Sequence, residues 1–292
     1  MEAIRKRLRG KTPALLALPS IILVLLIAIY PILFAFSVSM TNRRLNASEY
    51  HFIWFANYID MFTNPTFWAA LWRTLQYTGL TVGVEMLLGF GIALLLNQAL
   101  RGRTIFRIIM LIPLMLPPAS GAMMWRSLLD PSLGWINFAL SKIGIMAPAW
   151  LGNANTALIT VAGIDVYHFT PFVILILLAA LQSVPRLQYE VAEVDGASRW
   201  QVFRMVTLPQ IRPTIYLVLL FRLVWSLNSY DVIQVATNGG PGVNTTTLAF
   251  EAVQAGFRYY AFGLSGAYCI FLFFIILVIS KNLFSKVNRE WA

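Results

Sequence analysis

Six separate stretches of this chain are apolar enough, and nearly all long enough, to cross a lipid bilayer: residues 14–40, 71–96, 105–128, 156–181, 214–235 and 262–284. A hydrocarbon core of about 30 Å takes roughly 20 helical residues, the length each stretch meets or approaches. Backbone amides in lipid have no water to bond, so a spanning segment is either a helix or a strand of a closed barrel. Runs this uniformly apolar lack the alternation of barrel strands. The predicted fold is therefore all-α, a polytopic membrane protein with six transmembrane helices. Composition agrees, since 59% hydrophobic and 12% charged residues exceed what a soluble core of this size would bury.

The net charge of +10 reports membrane orientation rather than nucleic-acid binding, because no water-soluble domain carries a basic patch. If the amino terminus is cytoplasmic, fifteen of the 22 basic residues fall on the inside, at Arg5 to Lys11, Arg101 to Arg107, Arg186 to Arg212, and Lys281 to Arg289. Both termini are predicted cytoplasmic, with tails at 1–13 and 285–292 flanking a transmembrane domain at 14–284. The loop at 185–213 is predicted to be cytoplasmic too. The outer face receives 41–70, 130–155 and 236–261, where Trp54, Trp68, Trp135 and Trp150 suit interfacial depth without any ligand. The first stretch is too long for a signal-peptide core and contains Pro19 and Pro31, so it is read as a retained anchor helix. One cysteine, Cys269, excludes an intrachain disulfide and any multi-cysteine metal site.

Residues 185–213 stand out as a charged, Gly- and Pro-punctuated interruption between two apolar stretches. Residues 189–197 have helix-forming character, Gly196 can bend, Ser198 can cap a second turn from Arg199, and Pro209 and Pro213 are expected to stop that turn. Glu190, Glu193 and Asp195 lie among Arg186, Arg199 and Arg204, while Trp200, Phe203 and Val206 form an apolar ridge at spacings of three. A compact helical elbow for a soluble partner is one reading; a solvated loop lying on the headgroups is the other.

Glu190-Val191-Ala192, Gly196, Val206, Leu208 and Pro209 resemble, in spacing, the cytoplasmic signature of the integral-membrane subunits of bacterial ABC importers, with Val standing at two signature positions. Thr237-Asn238-Gly239-Gly240-Pro241-Gly242, followed by Thr245-Thr246-Thr247, resembles the loop before the last helix in the carbohydrate-uptake branch, which includes the maltose and glycerol-phosphate permeases. The resemblance implies a type I ABC importer permease fold in the bacterial inner membrane. It further implies two ABC ATPase subunits, a second permease that is usually a different chain, and an extracytoplasmic solute-binding protein. ATP and Mg would be bound by the ATPase partner, with no cofactor in this chain and no enzyme activity of its own. Gly10-Lys11-Thr12 has Arg5 where a phosphate-binding loop needs its first Gly. ATPase coupling would fall to Glu190, Ala192, Glu193, Asp195, Gly196, Ala197, Trp200, Phe203, Leu208 and Pro209.

Polar groups inside a membrane are costly and so mark a pathway. Asp165, His168, Phe169 and Phe172 share one face of the fourth stretch; Arg222, Trp225, Ser226 and Ser229 share a face of the fifth, with Asn228, Tyr230 and Asp231 beside them. Aromatic planes among hydrogen-bonding groups suit a sugar, and these faces match in position the sugar-lining helices of the maltose permease, though several identities differ. Alternatives stand beside this. His168 can be a packed histidine, Arg222 can pair with Asp165, with Glu85 or with an acid of another subunit, and Glu85 among Gly79, Gly83, Gly89 and Gly91 reads as a packing or inter-subunit charge. An ion-coupled secondary transporter would also bury Glu85, Asp165 and His168, but no internal repeat is evident.

Overall fold

The computed structural model describes residues 12–98 and 102–291. The basic cluster at 5–11, Arg101, and most of the tail predicted at 1–13 lie outside the described residues. Among the described residues the chain is helical, its only β features being isolated bridges between Thr41 and Phe52 and between Arg44 and Ala261. In chain order the helices are α1 (Thr12–Ser39), α2 (Ala56–Thr63), α3 (Pro65–Asn97), α4 (Arg103–Met115), α5 (Pro118–Leu128), α6 (Trp135–Lys142) and α7 (Ala157–Ser183). Then come α8 (Arg186–Val194), α9 (Arg199–Val202), a π-helical segment (Phe203–Thr207), α10 (Leu208–Leu227), α11 (Asp231–Ala236), α12 (Leu248–Val253), a second π segment (Gln254–Arg258) and α13 (Phe262–Trp291).

Four of these are long and apolar enough to cross a membrane alone, over Ala17–Ser39, Pro65–Asn97, Ala157–Ser183 and Phe262–Val287. The third apolar stretch is not one straight span. It divides into α4 and α5, bent by 98°. Pro117 forces Leu116 into extended backbone (φ −84, ψ 146), and Pro118 then opens α5, where a missing N–H costs nothing. The fifth stretch also differs from its sequence reading. Pro209 and Pro213 do not stop the turn after Ser198; the chain passes through the π segment directly into α10, with Pro213 inside that helix. The Leu208 amide bonds back to the Phe203 carbonyl, and this wider turn shifts the carbonyl register ahead of the Pro209 ring. α10 ends at Leu227, and a break at 228–230 separates it from α11.

The structure falls into two compact units, the first from the described part of Met1–Thr63 with Ala252–Phe271, the second from Asn64–Glu251 with the described part of Leu272–Ala292. In the first unit, α1 exposes apolar side chains nearly all round, as a lipid-facing helix does. Its C-terminus is satisfied by α2: Asn57 Nδ2 donates to the carbonyls of Ser39 and Thr41, each at 2.8 Å. The Ser39 and Tyr58 hydroxyls meet at 2.7 Å.

In the second unit α3 packs along α7, with Gly89 against Val173; a Cβ on Gly89 would lie 2.7 Å from the Val173 Cβ. Two apolar clusters fill the interior. One gathers Ala93, Leu96, Val173, Leu177, Leu181, Ile211 and Val218. The other gathers Tyr77, Ala122, Val161, Ile164, Ile233 and Phe250. Along α3, α7 and α10 the residues between these clusters are polar, and there the site is built.

Candidate functional site

α3 and α10 run antiparallel and meet through a ladder of polar side chains at helical spacing. The Tyr77 and Ser229 hydroxyls lie 3.1 Å apart, and Ser226 Oγ reaches Thr81 Oγ1 at 2.8 Å and Thr78 Oγ1 at 3.3 Å. At the end of the ladder Arg222 forks onto Glu85, Nε to Oε2 and Nη2 to Oε1 (2.7 Å), and Nη2 also donates to Asp165 Oδ2 at 3.0 Å. Three helices are thus tied by one guanidinium. Glu85 and Arg222 are fully buried, and Asp165 is 1% exposed. Arg222 thus pairs within the chain with both Glu85 and Asp165. Such a cluster persists in a low-dielectric interior because each charge is paired, although the buried Arg222 Nη1 has no hydrogen-bond partner among the described residues.

The guanidinium also lies on an aromatic platform. Its Cζ is 4.1 Å from the Phe169 ring centroid and 5.9 Å from that of Trp225. Trp225 packs in turn against Phe169, Phe172 and Phe221, with centroids 5.7, 4.8 and 5.8 Å away. Above this platform a cavity of about 290 Å³ is lined by Pro118, Asp165, Phe169, Trp225, Asn228, Ser229, Tyr230, Asp231 and Val232. The break after α10 creates its polar wall. Asn228 Nδ2 donates to the Val224 carbonyl at 2.9 Å, Tyr230 donates its hydroxyl to Gln234 Oε1 at 3.1 Å, and the Tyr230 ring stacks on Phe250.

Of the residues proposed from sequence for the pathway, Asp165, Phe169, Trp225, Asn228, Ser229 and Tyr230 come together on this cavity. Arg222 and Ser226 lie buried behind it. Phe172 supports Trp225 from the side and also meets Phe221. His168 is 4% exposed, its ring edge-on to Phe169 at 4.6 Å, a packed position outside the cavity lining. Pro118 and Val232 escaped the sequence reading; the tandem prolines at 117–118 were the one signal that could have drawn attention to the first.

The Gly-rich loop is knitted to itself. Thr245, Thr246 and Thr247 are buried, with Thr245 Oγ1 donating to the Gly240 carbonyl at 2.9 Å and Thr246 Oγ1 to that of Gly239 at 3.1 Å. Arg73 Nη1 donates to the Thr246 carbonyl at 3.1 Å, and Leu248 N to Thr74 Oγ1 at 2.8 Å. Arg73 and Thr74 thus hold the loop on α3. Glu251 nearby has its carboxyl pushed up by burial, an effect opposed by Arg73.

At 185–213 the chain forms two helical arms. Gly196 takes φ +73, a left-handed conformation that side chains resist, and its amide and that of Ala197 close α8 onto the Glu193 and Ala192 carbonyls at 3.0 Å. Ser198 then opens α9 with a capping box, its amide donating to Gln201 Oε1 at 2.8 Å. Tyr189 and Thr207 hydroxyls, 3.2 Å apart, pin the arms together. Glu190, Glu193, Asp195, Gly196, Trp200 and Pro209 are exposed, whereas Ala192, Ala197, Phe203 and Leu208 are half-buried. The apolar ridge does not point outward as a whole: Phe203 packs on Phe90 and Val206 on the apolar core, while Trp200 stacks on Phe203 at 5.4 Å and stays exposed. Leu187, Val191 and Val194, at helical spacing on α8, are exposed as well.

A helical bundle of membrane-spanning length, a charge cluster between its helices, a cavity over that cluster and a capped polar elbow between spans define a membrane permease. The model of the binding-protein-dependent transport system inner membrane component family matches residues 85–289. The chain is 36% identical to a probable ABC transporter permease protein of Sinorhizobium fredii over 98% of this chain and 95% of the relative. It is 34% identical to the trehalose/maltose transport system permease protein MalF of Thermococcus litoralis, over 96% and 94% of the two chains. Among solved structures, a bacterial ABC transporter that imports the acidic polysaccharide alginate superposes with a TM-score of 0.82, at 24% identity, covering 98% of this chain and 99% of the other. The same type of transporter bound to an alginate-loaded periplasmic protein gives 0.81 at 25% identity, covering 96% and 94%. The chain belongs to the family of inner-membrane components of binding-protein-dependent transport systems. It is an ABC importer permease, a multi-pass inner-membrane protein.

Proposed function

We propose that this chain is one of two permease subunits of an ATP-driven importer for a sugar or a sugar-like solute. The carrying observation is the cavity in which Phe169 and Trp225 supply ring faces and Asp165, Asn228, Ser229 and Tyr230 supply hydrogen-bonding groups. Its volume of about 290 Å³ suits one sugar unit at the low end of small-molecule sites, and a longer chain would be handled in sections. Relatives whose names specify trehalose/maltose and sulfoquinovosyl glycerol support a carbohydrate. Arg222 does not meet the solute; it holds Phe169 and Asp165 in place through the contacts above.

In this reading six spans cross the membrane, formed by α1, α3, the bent pair α4 and α5, α7, α10 with α11, and α13, with both termini cytoplasmic. Two ATPase subunits bind ATP and Mg and receive the elbow around Gly196, whose exposed Leu187, Val191, Val194 and Trp200 offer apolar surface to a cleft. A second permease completes the pathway, and an extracytoplasmic binding protein delivers solute to the outer loops. Closure of the ATPases moves the elbow and, through the continuous run from α9 into α10, moves Trp225 relative to α7.

Uptake of radiolabelled maltose, trehalose and glycosylglycerols by cells with and without the gene, with an uncoupler present and ATP maintained, tests this. Carrier-dependent uptake of at least one sugar that survives the uncoupler is expected; uptake abolished by the uncoupler with ATP intact would contradict it.

A further inference from the structure

A second cavity, of about 210 Å³, opens between α3, α4 and α7, away from the platform of Trp225. Its wall is apolar, including Leu96, Pro171, Ile174 and Leu178, and Arg107 and Gln182 are its polar lining residues. Arg107 Nε and Nη2 are buried and make no hydrogen bond among the described residues. A guanidinium with two shielded, unsatisfied donors calls for an anionic acceptor, because leaving such donors unmade is costly and planar paired N–H groups match phosphate oxygens.

Position identifies the acceptor's source. Leu96 and Gln182 each stand one residue before the end of their helices, and Arg107 lies in the second turn of α4. Three spans therefore start or finish at the level of the guanidinium, which is headgroup depth. From Gln182 back to Pro171 the cavity follows α7 for eleven residues, roughly 16 Å of helix. That is about half of a hydrocarbon core of about 30 Å. A charge at the rim of an apolar channel about one leaflet deep fits a single amphiphile.

We infer that this groove is a binding site for an anionic phospholipid, its phosphate on Arg107 with Gln182 beside it and one acyl chain along Leu96, Ile174 and Leu178. The lipid fills the space between α4 and α7 and steadies α4, which is otherwise bent sharply away from α5. Phosphatidylglycerol fits better than a zwitterionic lipid, because among the described residues no carboxylate lines the cavity to receive a choline.

The test is native mass spectrometry of the intact importer, purified with its partner subunits and equilibrated in mixed micelles holding equal dioleoylphosphatidylglycerol and dioleoylphosphatidylcholine. The unaltered complex is expected to retain phosphatidylglycerol preferentially. Arg107→Gln removes the charge-assisted contact and lowers that retention about tenfold or more, and Arg107→Lys restores part of it. Ala179→Phe, on the exposed lip of the groove, obstructs the acyl chain while leaving the guanidinium, and loses the lipid too. Millimolar inorganic phosphate leaves the lipid in place. Equal phosphatidylglycerol on the unaltered complex and on Arg107→Gln overturns the inference, as does displacement by inorganic phosphate. If Arg107→Gln fails to assemble, undiminished lipid on Ala179→Phe overturns it.

Discussion

Replacing Arg222 by Met removes the one cation that Glu85 and Asp165 share, while keeping a long side chain against Phe169. Three charge-assisted hydrogen bonds disappear, two to Glu85 and one to Asp165. Neither carboxylate has water to fall back on, since Glu85 is fully buried and Asp165 is 1% exposed. Breaking a buried pair from one side costs about 3–5 kcal/mol, because the surviving charge stays buried. A domain of this size loses about 2–4 °C of midpoint per kcal/mol, so the midpoint falls on the order of 10 °C. The assay is thermal unfolding of the detergent-solubilised complex, followed by fluorescence-detected size exclusion after heating. Neutralising the stranded acids, with Glu85→Gln and Asp165→Asn in the Arg222→Met background, restores more than half of the loss. A single variant that unfolds within about 2 °C of the unaltered protein, or a triple variant no better than the single, refutes the electrostatic reasoning.

Other outcomes follow from the same geometry. Gly196→Val must hold a Cβ-branched residue at φ +73, a strain of about 1–2 kcal/mol confined to the elbow. Membrane insertion should stay normal while binding-protein-stimulated ATP turnover loses its link to uptake, measured together in proteoliposomes; coupled uptake at the unaltered rate argues against the elbow's role. Trp225→Leu removes the ring shared by Phe169, Phe172 and Phe221, and a stacking loss of about 0.5–1.5 kcal/mol raises the uptake KM roughly 2- to 12-fold, read from concentration series. Asp130 holds the turn at 130–134. The Leu133 amide, then the Ser132 hydroxyl and amide, donate to it and pull its carboxyl below the usual range. A depressed carboxyl contributes order above its unfolded value, about 3.9, and loses it as pH falls through the folded value. Asp130→Asn should therefore speed amide exchange at residues 132–134 at neutral pH, with the difference from the unaltered protein shrinking once the carboxyl is protonated.

Much of the fold is legible in hydropathy, because a bilayer imposes a length and a helix is what satisfies a backbone there. Direction is not legible. The stretch at 105–128 is apolar throughout, yet Pro117 and Pro118 turn it by 98°, and hydropathy carries no record of an angle. Pro209 and Pro213 look like stops until the π segment ahead of them shifts the register, which depends on packing of Phe203 and Val206 that a local reading does not contain. At the site, the helical spacing of Asp165 with Phe169 and of Trp225 with Ser229 made each pair legible as one face, and the two faces line one cavity. Arg222 was ambiguous for a physical reason: its partners are 137 and 57 residues away in sequence, and only the packing of α3, α7 and α10 selects them. His168 shared the spacing of Asp165 but turned into the packed side, since spacing fixes a face only to within a broad arc.

The central claim, that this permease works as the membrane half of an ATP-driven sugar importer, is tested most directly by purifying the tagged chain from native membranes in mild detergent. Its companions are identified by mass spectrometry and the product is assayed for ATP hydrolysis with and without binding protein. The account predicts recovery of an ABC ATPase and a second permease, with ATP turnover stimulated by a sugar-loaded binding protein. A chain that purifies alone, stably folded and without ATPase activity, would contradict it.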